Sequence, residues 1–377
     1  MRTHFFVTGG TGMMGSDLLP RLLRAYPESL LTLLLRGKSP ADAGERARRV
    51  ALTLGGECGI PDAVSRVRGV LGDVTQERLG VSPEEIERLT GTVTHIIHGA
   101  ATIRFDHPLD EARAINCGGT RRVLELGLDC ARRGSLERFI YIGTSSVSGR
   151  RSGTIYEHEL EMGQEFFNTY EHSKCESERL VREAADRLPT VVFRPSIVIG
   201  DSRTGRTSSF NVIYIPLKLL ERGLMRLVPG TPDTTLDLVP VDWVNDAMVY
   251  IMGRSDAVGR VFHLTAGPAR SARLGELVRS AAEYFDRAVP LSRPRAVEFL
   301  SAESYTRRLA ELPTRHQALL AQVNALFPYI TVDRLFDSTN ADAMLEGSGI
   351  RFPLFSEYAP NIYAYCVNTR WGKAGRV

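Results

Sequence analysis

The chain has 377 residues and a formal net charge of +3, with hydrophobic and charged fractions of 43% and 24%. This length is sufficient for a large core and two lobes. The small net charge gives no reason to expect a nucleic-acid or membrane partner, and no apolar run is long enough to span a bilayer. Only four of the 47 basic residues are lysine, so a lysine within a motif is informative.

The five cysteines show neither a Cys-x-x-Cys motif nor a metal-like spacing with histidine, and we expect no metal site. Their odd number and the lack of a signal-peptide pattern favour reduced thiols in the cytoplasm. The sequence leaves the oligomeric state open, with a homodimer as one expectation.

A glycine-rich turn follows the first apolar run, residues 4–7, and precedes a helical pattern over residues 13–26. The backbone N–H groups and the positive end of the helix dipole at such a turn bind a pyrophosphate. Side chains larger than hydrogen would block its approach. We therefore predict a dinucleotide site formed by Gly9, Thr11, Gly12, Met13, Met14 and Gly15.

The next strand, residues 30–35, is a continuous apolar run, which is typical of a strand buried on both faces. An acidic residue at its end would bind the ribose 2′-hydroxyl of NAD. This chain has Arg36 there, with Lys38 two residues later, and a guanidinium suits a 2′-phosphate. We expect NADPH as the cofactor. The alternative interpretation is that Arg36 and Lys38 are solvated charges at the end of a strand.

Strands alternate with helices through the first 200 residues. Further strands are predicted at 67–74, 93–98 and 139–142, with helices at 40–54 and 109–133. This alternation predicts an α/β fold, a doubly wound parallel Rossmann sheet with ligands at the carboxyl ends of its strands. We assign residues 1–200 and 235–266 to the NADP-binding domain, and 201–234 and 267–377 to a smaller substrate-binding lobe.

Tyr170 and Lys174 are four residues apart in a helical pattern and therefore share one face. A neighbouring ammonium and the positive nicotinamide would lower the phenol pKa from its usual value near ~10. Thr144 lies just beyond a strand, where its hydroxyl can hold a carbonyl oxygen together with the phenol. Although a Tyr-x-x-x-Lys pair alone is usually a surface feature, this one follows a dinucleotide turn. We predict Thr144, Tyr170 and Lys174 as the catalytic residues.

These motifs together resemble the extended short-chain dehydrogenase/reductase superfamily, and within it the thioester reductase or fatty acyl-CoA reductase-like branch. The resemblance covers about residues 4–266 and is carried by residues 8–15, 32–38, 72–80, 98–105, 115–120 and 194–201. It implies that Asp73 and Val74 lie near the adenine and that Lys174 holds the nicotinamide ribose. It also implies a cofactor role for Gly99, Ala100, Ala101, Asn116, Pro195, Ser196, Ile197 and Val198. Gly143 stands where many relatives carry Ser, which leaves Thr144 as the hydroxyl.

The resemblance implies an NADPH-dependent reductase of acyl thioesters that yields an aldehyde, and leaves open a second reduction to the alcohol. Because the chain contains no adenylation or carrier module, the substrate is expected on coenzyme A or on a carrier protein supplied in trans. One alternative is an NADPH-dependent ketone or secondary-alcohol dehydrogenase, or a nucleotide-sugar-modifying enzyme, of the same superfamily. Another is a non-catalytic dinucleotide-binding regulator, against which the presence of Tyr170 and Lys174 argues.

Two pairs of arginines are candidates for binding a phosphate on the substrate. Arg203 and Arg206 lie in a loop just past a predicted strand, where the mouth of the site is expected. Arg150 and Arg151 are most simply solvated, but they are also candidates for a phosphopantetheine or an acidic carrier.

Overall fold

The computed structural model describes residues 2–311, 323, 329–330 and 332–373. Its central element is a seven-stranded parallel sheet of β1 (His4–Thr8), β2 (Leu30–Leu35), β3 (Val67–Leu71), β4 (His95–His98), β5 (Arg138–Ile142), β7 (Thr190–Pro195) and β12 (Val261–Leu264). The strand order is β12-β7-β5-β4-β1-β2-β3. The order therefore reverses between β1 and β4, and a crevice for a ligand is expected at their carboxyl ends.

Helices cover both faces of this sheet, so the predicted doubly wound fold is confirmed. One face carries α1 (Met13–Ala25), α2 (Pro40–Gly56) and α8 (Val241–Met252), and the other carries α4 (Pro83–Thr92), α5 (Leu109–Arg132) and α6 (Thr169–Glu183). The short helix α3 (Ala63–Arg66) precedes β3. All but the first residue of β2 is buried, as its apolar sequence predicts.

A second hydrophobic core lies outside the sheet. It is built from α7 (Tyr214–Glu221), α10 (Leu274–Ala288), the helix at Phe355–Asn368 and several short strands. Two short helices, α9 (Gly267–Arg270) and α11 (Ala302–Ala310), lie in the same part of the chain. The short strands of the molecule are β6 (Gly153–Ile155), β8 (Ile197–Ile199), β9 (Leu227–Pro229), β10 (Thr235–Leu236), β11 (Leu238–Pro240), β13 (Ala272–Arg273), β14 (Glu298–Leu300) and β15 (Arg334–Phe336). Ile213, Leu217 and Leu220 are buried in this core, so they are packing residues.

The chain returns from this second core to the edge of the sheet. β15 pairs in parallel with β6, and α12 (Thr339–Leu345) contributes Ala341 and Met344 to the core beneath the sheet. α13 (Phe355–Asn368) then packs back into the second core. The predicted division into domain and lobe stays a prediction, although residues 334–352 pack with the sheet. Residues 312–322, 324–328, 331 and 374–377 of the predicted lobe lie outside the described residues.

The buried carboxylate of Glu157 joins this returning segment to the sheet. It accepts hydrogen bonds from the backbone N–H groups of His263 (2.8 Å), Asn340 (2.6 Å) and Ala341 (3.3 Å). Burial raises the pKa of this carboxyl group to about 7. Within the described part of the chain, no helix is both long and apolar enough to cross a membrane.

Candidate active site

The glycine turn connects β1 to α1 at the reversal point of the sheet. Gly9 has φ +76°, and a Cβ there would lie 2.7 Å from the Gly99 carbonyl carbon. A Cβ at Gly15 would lie 2.3 Å from the Gly9 oxygen. Gly12 caps α1 without a side chain and is exposed, so the first-turn N–H groups of α1 are open to an anion. The predicted residues Thr11, Met13 and Met14 lie around this opening, which fits a pyrophosphate.

The end of β2 presents positive charge. Arg36 and Lys38 are both exposed, and no partner of the Arg36 side chain is found among the described residues. The Arg36 carbonyl oxygen accepts a hydrogen bond from the guanidinium of Arg46 on α2, which brings a second arginine to this point. The carboxylate of Asp42 on α2 accepts a hydrogen bond from the Lys38 backbone N–H (3.0 Å).

Asp73 and Val74 follow β3 at the same edge of the sheet. The Asp73 carboxylate accepts hydrogen bonds from the backbone N–H and the hydroxyl of Thr75, both at 2.8 Å. Val74 is buried against Gly119 of α5, where a Cβ would lie 3.1 Å from its side chain. These contacts fix the turn that follows β3.

The end of β4 is tied to the end of β1. His98 is hydrogen-bonded through Nδ1 to Thr8 Oγ1 (2.7 Å) and through Nε2 to Thr120 Oγ1 (3.0 Å). The Ala100 backbone N–H also donates to Thr8 Oγ1 (3.2 Å). Burial lowers the pKa of His98 to about 3, so the ring is neutral and serves as a structural tie. Gly99, Ala100 and Ala101 are thereby held beside the glycine turn.

Asn116 on α5 joins this loop to the helix that carries Tyr170. Its Oδ1 accepts from the Thr102 backbone N–H (2.8 Å). Its Nδ2 donates to the Thr102 carbonyl (3.3 Å) and to Ser173 Oγ (2.9 Å). The side chain is buried and its amide is occupied by protein groups, so in this structure it positions α6 against the loop.

Thr144, Tyr170 and Lys174 meet just beyond the carboxyl end of β5. Asn168 caps α6 by accepting the Glu171 backbone N–H (3.0 Å), which starts the helix immediately before Tyr170. The Thr144 hydroxyl lies close enough to the Tyr170 phenol to lower the pKa of that phenol. Lys174 Nζ donates to the Ile142 carbonyl oxygen (3.0 Å) and lies 4.3 Å from the centre of the Tyr141 ring.

Burial is the main cause of the pKa shifts of the Tyr170 phenol and the Lys174 ammonium. Burial raises the pKa of the Tyr170 phenol to about 12, and the hydrogen bond with Thr144 offsets this only in part. The sequence led us to expect a lowered phenol pKa, and the protein groups alone do not produce it. Burial lowers the pKa of the Lys174 ammonium to about 8, against the opposing effect of the Glu178 carboxylate. At neutral pH the phenol is protonated and the ammonium is mostly charged.

The chain continues from the end of β7 into β8 at the carboxyl edge of the sheet. This segment contains the predicted cofactor residues Pro195, Ser196, Ile197 and Val198. The Ser196 hydroxyl donates to the carboxylate of Asp237, which also accepts the backbone N–H groups of Ala266 (2.8 Å) and Gly267 (3.1 Å). This carboxylate fixes the segment against β12 and the turn that follows it.

A buried ion pair behind the site was not predicted from the sequence. Glu178, four residues after Lys174, accepts hydrogen bonds from Arg194 Nε (2.9 Å) and Nη2 (2.7 Å), and neither side chain is exposed. A Cβ at Gly143 would lie 3.1 Å from the Phe193 backbone oxygen, a tight contact, and 3.4 Å from Glu178 Oε2, an ordinary one. Glu178 follows Lys174 by the same four residues that separate Lys174 from Tyr170. This spacing could have predicted that Glu178 lies on the same face of the helix.

The interpretation of Arg203 and Arg206 as the phosphate-binding mouth stays a prediction. Arg206 Nη2 lies 2.9 Å from Glu57 Oε2, at the carboxyl end of α2. Because α2 runs opposite to the parallel strands, that end faces away from the carboxyl edge of the sheet. Arg203 lines a groove with the carboxyl ends of α1 and α8. Arg203 Nε also lies 3.8 Å from Asp242 Oδ2, in the first turn of α8.

All five cysteines are free thiols. Within the described residues, no group of three or more His, Cys, Asp or Glu side chains is arranged to hold a metal ion.

The strand order and the glycine turn define a Rossmann-type dinucleotide-binding protein. A model of the family described as male sterility protein matches residues 7–248. The match covers more than half of the chain, which therefore belongs to this family. The expected resemblance to extended short-chain dehydrogenases/reductases of the thioester reductase branch is confirmed, and so is a nicotinamide dinucleotide as the class of cofactor.

Similar proteins include fatty acyl-CoA reductase wat of Drosophila melanogaster, 30% identical over 273 residues, which cover 65% of this chain and 53% of that protein. Fatty acyl-CoA reductase 2 of Homo sapiens is 26% identical over 332 residues, or 77% of this chain and 63% of that protein. This chain thus spans less than two thirds of both relatives. The crystal structure of the terminal R domain from the myxalamid PKS-NRPS biosynthetic pathway matches with 27% identity and a TM-score of 0.80, over 99% of this chain and 92% of that one.

Proposed function

We propose that this protein is an NADPH-dependent reductase of acyl thioesters, carried on coenzyme A or on a carrier protein. The observation that carries the proposal is the Tyr170 phenol beside the Thr144 hydroxyl, with Lys174 one helical turn away, at the carboxyl edge of a dinucleotide-binding sheet. Thr144, Tyr170 and Lys174 are the proposed catalytic residues. The cytoplasmic compartment and the homodimeric state stay predictions from the sequence.

The proposal of NADPH rather than NADH rests on the end of β2. Arg36 is exposed there, the Arg46 guanidinium contacts its carbonyl, and the Asp42 carboxylate is occupied by the Lys38 N–H. A guanidinium matches the geometry and charge of a 2′-phosphate. A free carboxylate would instead be needed to accept a ribose hydroxyl.

The proposed mechanism follows from the states of the two titrating groups. A bound nicotinamide supplies a hydride, two electrons and one hydrogen, to the carbonyl carbon of the thioester. The protonated Tyr170 phenol and the Thr144 hydroxyl donate hydrogen bonds to the carbonyl oxygen as it becomes negative. The Lys174 ammonium binds the nicotinamide ribose and favours negative charge near the phenol. The C–S bond then breaks, the thiol leaves with one proton, and the aldehyde remains.

The choice of a thioester is supported by the relatives. Two of them are named fatty acyl-CoA reductases, and the R domain comes from a PKS-NRPS pathway. A second reduction of the aldehyde by the same residues would yield the alcohol.

The test is a substrate panel of acyl-CoAs, acyl carriers, aldehydes and ketones with the purified protein. We expect NADPH oxidation to be matched by release of free thiol from at least one thioester. Turnover of a simple ketone without aldehyde, alcohol or thiol from any thioester would contradict the proposal and favour the dehydrogenase alternative.

A further inference from the structure

A series of contacts connects Tyr170 through two further aromatic rings to an arginine. The Phe105 ring lies 5.8 Å from the Tyr170 ring and 6.3 Å from the Tyr329 ring, measured between centres. The Arg334 guanidinium lies 5.4 Å from the centre of the Tyr329 ring. Each of these side chains is at least partly buried, so together they form a wall beside the proposed catalytic tyrosine.

The outer end of this wall is Phe167, held between two arginines. The Arg334 guanidinium lies 5.7 Å from the centre of the Phe167 ring, and the Arg150 guanidinium lies 5.1 Å from it. Arg334 is buried and donates to the Gly149 carbonyl (2.9 Å), whereas the Arg150 side chain is 53% exposed. A cation over an aromatic face is attracted to it, so both guanidiniums are held in place.

The backbone also fixes Arg150 at this point. Gly149 has φ +58°, and a Cβ there would lie 2.2 Å from the Glu165 oxygen, so only glycine allows the chain to approach so closely. The Arg150 backbone N–H donates to that same oxygen (2.8 Å), and its Nε donates to the Phe166 carbonyl (3.4 Å). The guanidinium is thus held against the segment that leads directly into the helix carrying Tyr170.

The charge of Arg150 is available to a ligand. Its acidic neighbour, Glu165, is 81% exposed and 3.8 Å away, and such an exposed ion pair contributes little. The buried Arg334 adds a second positive charge behind the same ring. The buried Glu171 carboxylate, which accepts hydrogen bonds from the Phe167 backbone N–H (3.0 Å) and the Tyr329 hydroxyl (2.7 Å), interacts with both arginines. An anion at this position would therefore meet an exposed guanidinium that is already oriented, with two arginines set against the buried Glu171 and the exposed Glu165.

We propose that Arg150 binds the phosphate at the outer end of the pantetheine arm, a group that coenzyme A and acyl carriers share. This inference rests on the proposed thioester reductase function. The arm would lie along the wall of Phe105, Tyr329 and Phe167, with its thioester at Tyr170 and its phosphate at the surface.

The experiment compares an acyl-pantetheine with the matching acyl-4′-phosphopantetheine, which differ only in the phosphate. The parent protein should show a kcat/KM that is roughly 10–100-fold higher for the phosphorylated substrate, as expected for a charge-assisted hydrogen bond. Arg150→Ala should abolish this preference, mainly through KM. Arg179→Ala is the matched control: its side chain is 45% exposed and paired with Glu161 on the outer side of α6, so the preference should persist.

Acyl-CoA and acyl carrier protein extend the comparison. Arg150→Ala should raise KM for both, because the phosphate is common to them. An effect on acyl-CoA alone would overturn the proposal, since Arg150 would then bind the nucleotide part. Equal kcat/KM values for the two pantetheines in the parent protein, or a preference that survives in Arg150→Ala, would also overturn it while leaving thioester reduction intact. No thiol release from any thioester would overturn both proposals.

Discussion

Raising the pH tests the proposed role of Lys174. Burial lowers the pKa of its ammonium to about 8. Roughly 90% of the molecules then carry the charge at pH 7 and roughly 10% at pH 9. Because the proposed mechanism uses the charged form to bind the ribose and to favour negative charge near Tyr170, we expect activity to be present below this pKa and lost above it. We expect kcat/KM for NADPH, which reports on the free enzyme, to fall about tenfold per pH unit above about pH 8.

The matched variant is Lys174→Arg, since a guanidinium stays charged throughout this range. Its rate should be lower at neutral pH because the longer, planar group fits the site less well, but the alkaline fall should disappear. The assay is the initial rate at low NADPH from about pH 6.5 to about pH 10, with circular dichroism to show that the fold persists. A parent profile that stays flat to the highest pH, or a Lys174→Arg profile that falls with the same midpoint, would refute the reasoning.

Arg36→Ala should remove most of a preference for NADPH over NADH of about 1.5–3 kcal/mol, measured by equilibrium binding of both cofactors; equal affinities in the parent protein would contradict the assignment. Tyr170→Phe keeps the ring and should lower turnover ~100-fold or more at an unchanged melting temperature. Near-parental turnover would place proton transfer elsewhere. Glu178→Ala leaves the buried Arg194 without its carboxylate and should lower the free energy of unfolding by about 3–5 kcal/mol in a denaturant titration. Glu176→Ala, which breaks a partly exposed pair, should cost less than about 1 kcal/mol, and similar values for the two variants would argue against this account.

The parts of the fold that follow from local sequence were predictable. The apolar run at residues 30–35 predicted the observed bounds of β2, and the predicted helix at 109–133 ends within one residue of the end of α5. The helical pattern around Tyr170 and Lys174 corresponds to α6, which begins at Thr169 and ends at Glu183. Spacing four residues apart placed Tyr170 and Lys174 on one face, because helical geometry depends only on neighbouring residues.

The parts that depend on distant contacts were not predictable. Arg206 reaches Glu57, which is 149 positions away, and nothing in its own loop indicates this partner. The raised phenol pKa of Tyr170 depends on how fully the surrounding segments bury it, which the spacing to Lys174 does not reveal. The return of residues 334–352 to the sheet likewise depends on the pairing of β15 with β6.

The three N–H groups that bind the Glu157 carboxylate limit where the chain can be truncated without loss of these hydrogen bonds. One comes from His263 on the edge strand β12, and the other two come from Asn340 and Ala341 at the start of α12. A fragment ending soon after β12 would retain the buried carboxylate but lose two of its donors, and an unsatisfied buried carboxylate is costly. The edge of the sheet would be exposed at the same time. The segment after residue 333 is therefore needed to complete the fold of the segment before residue 266.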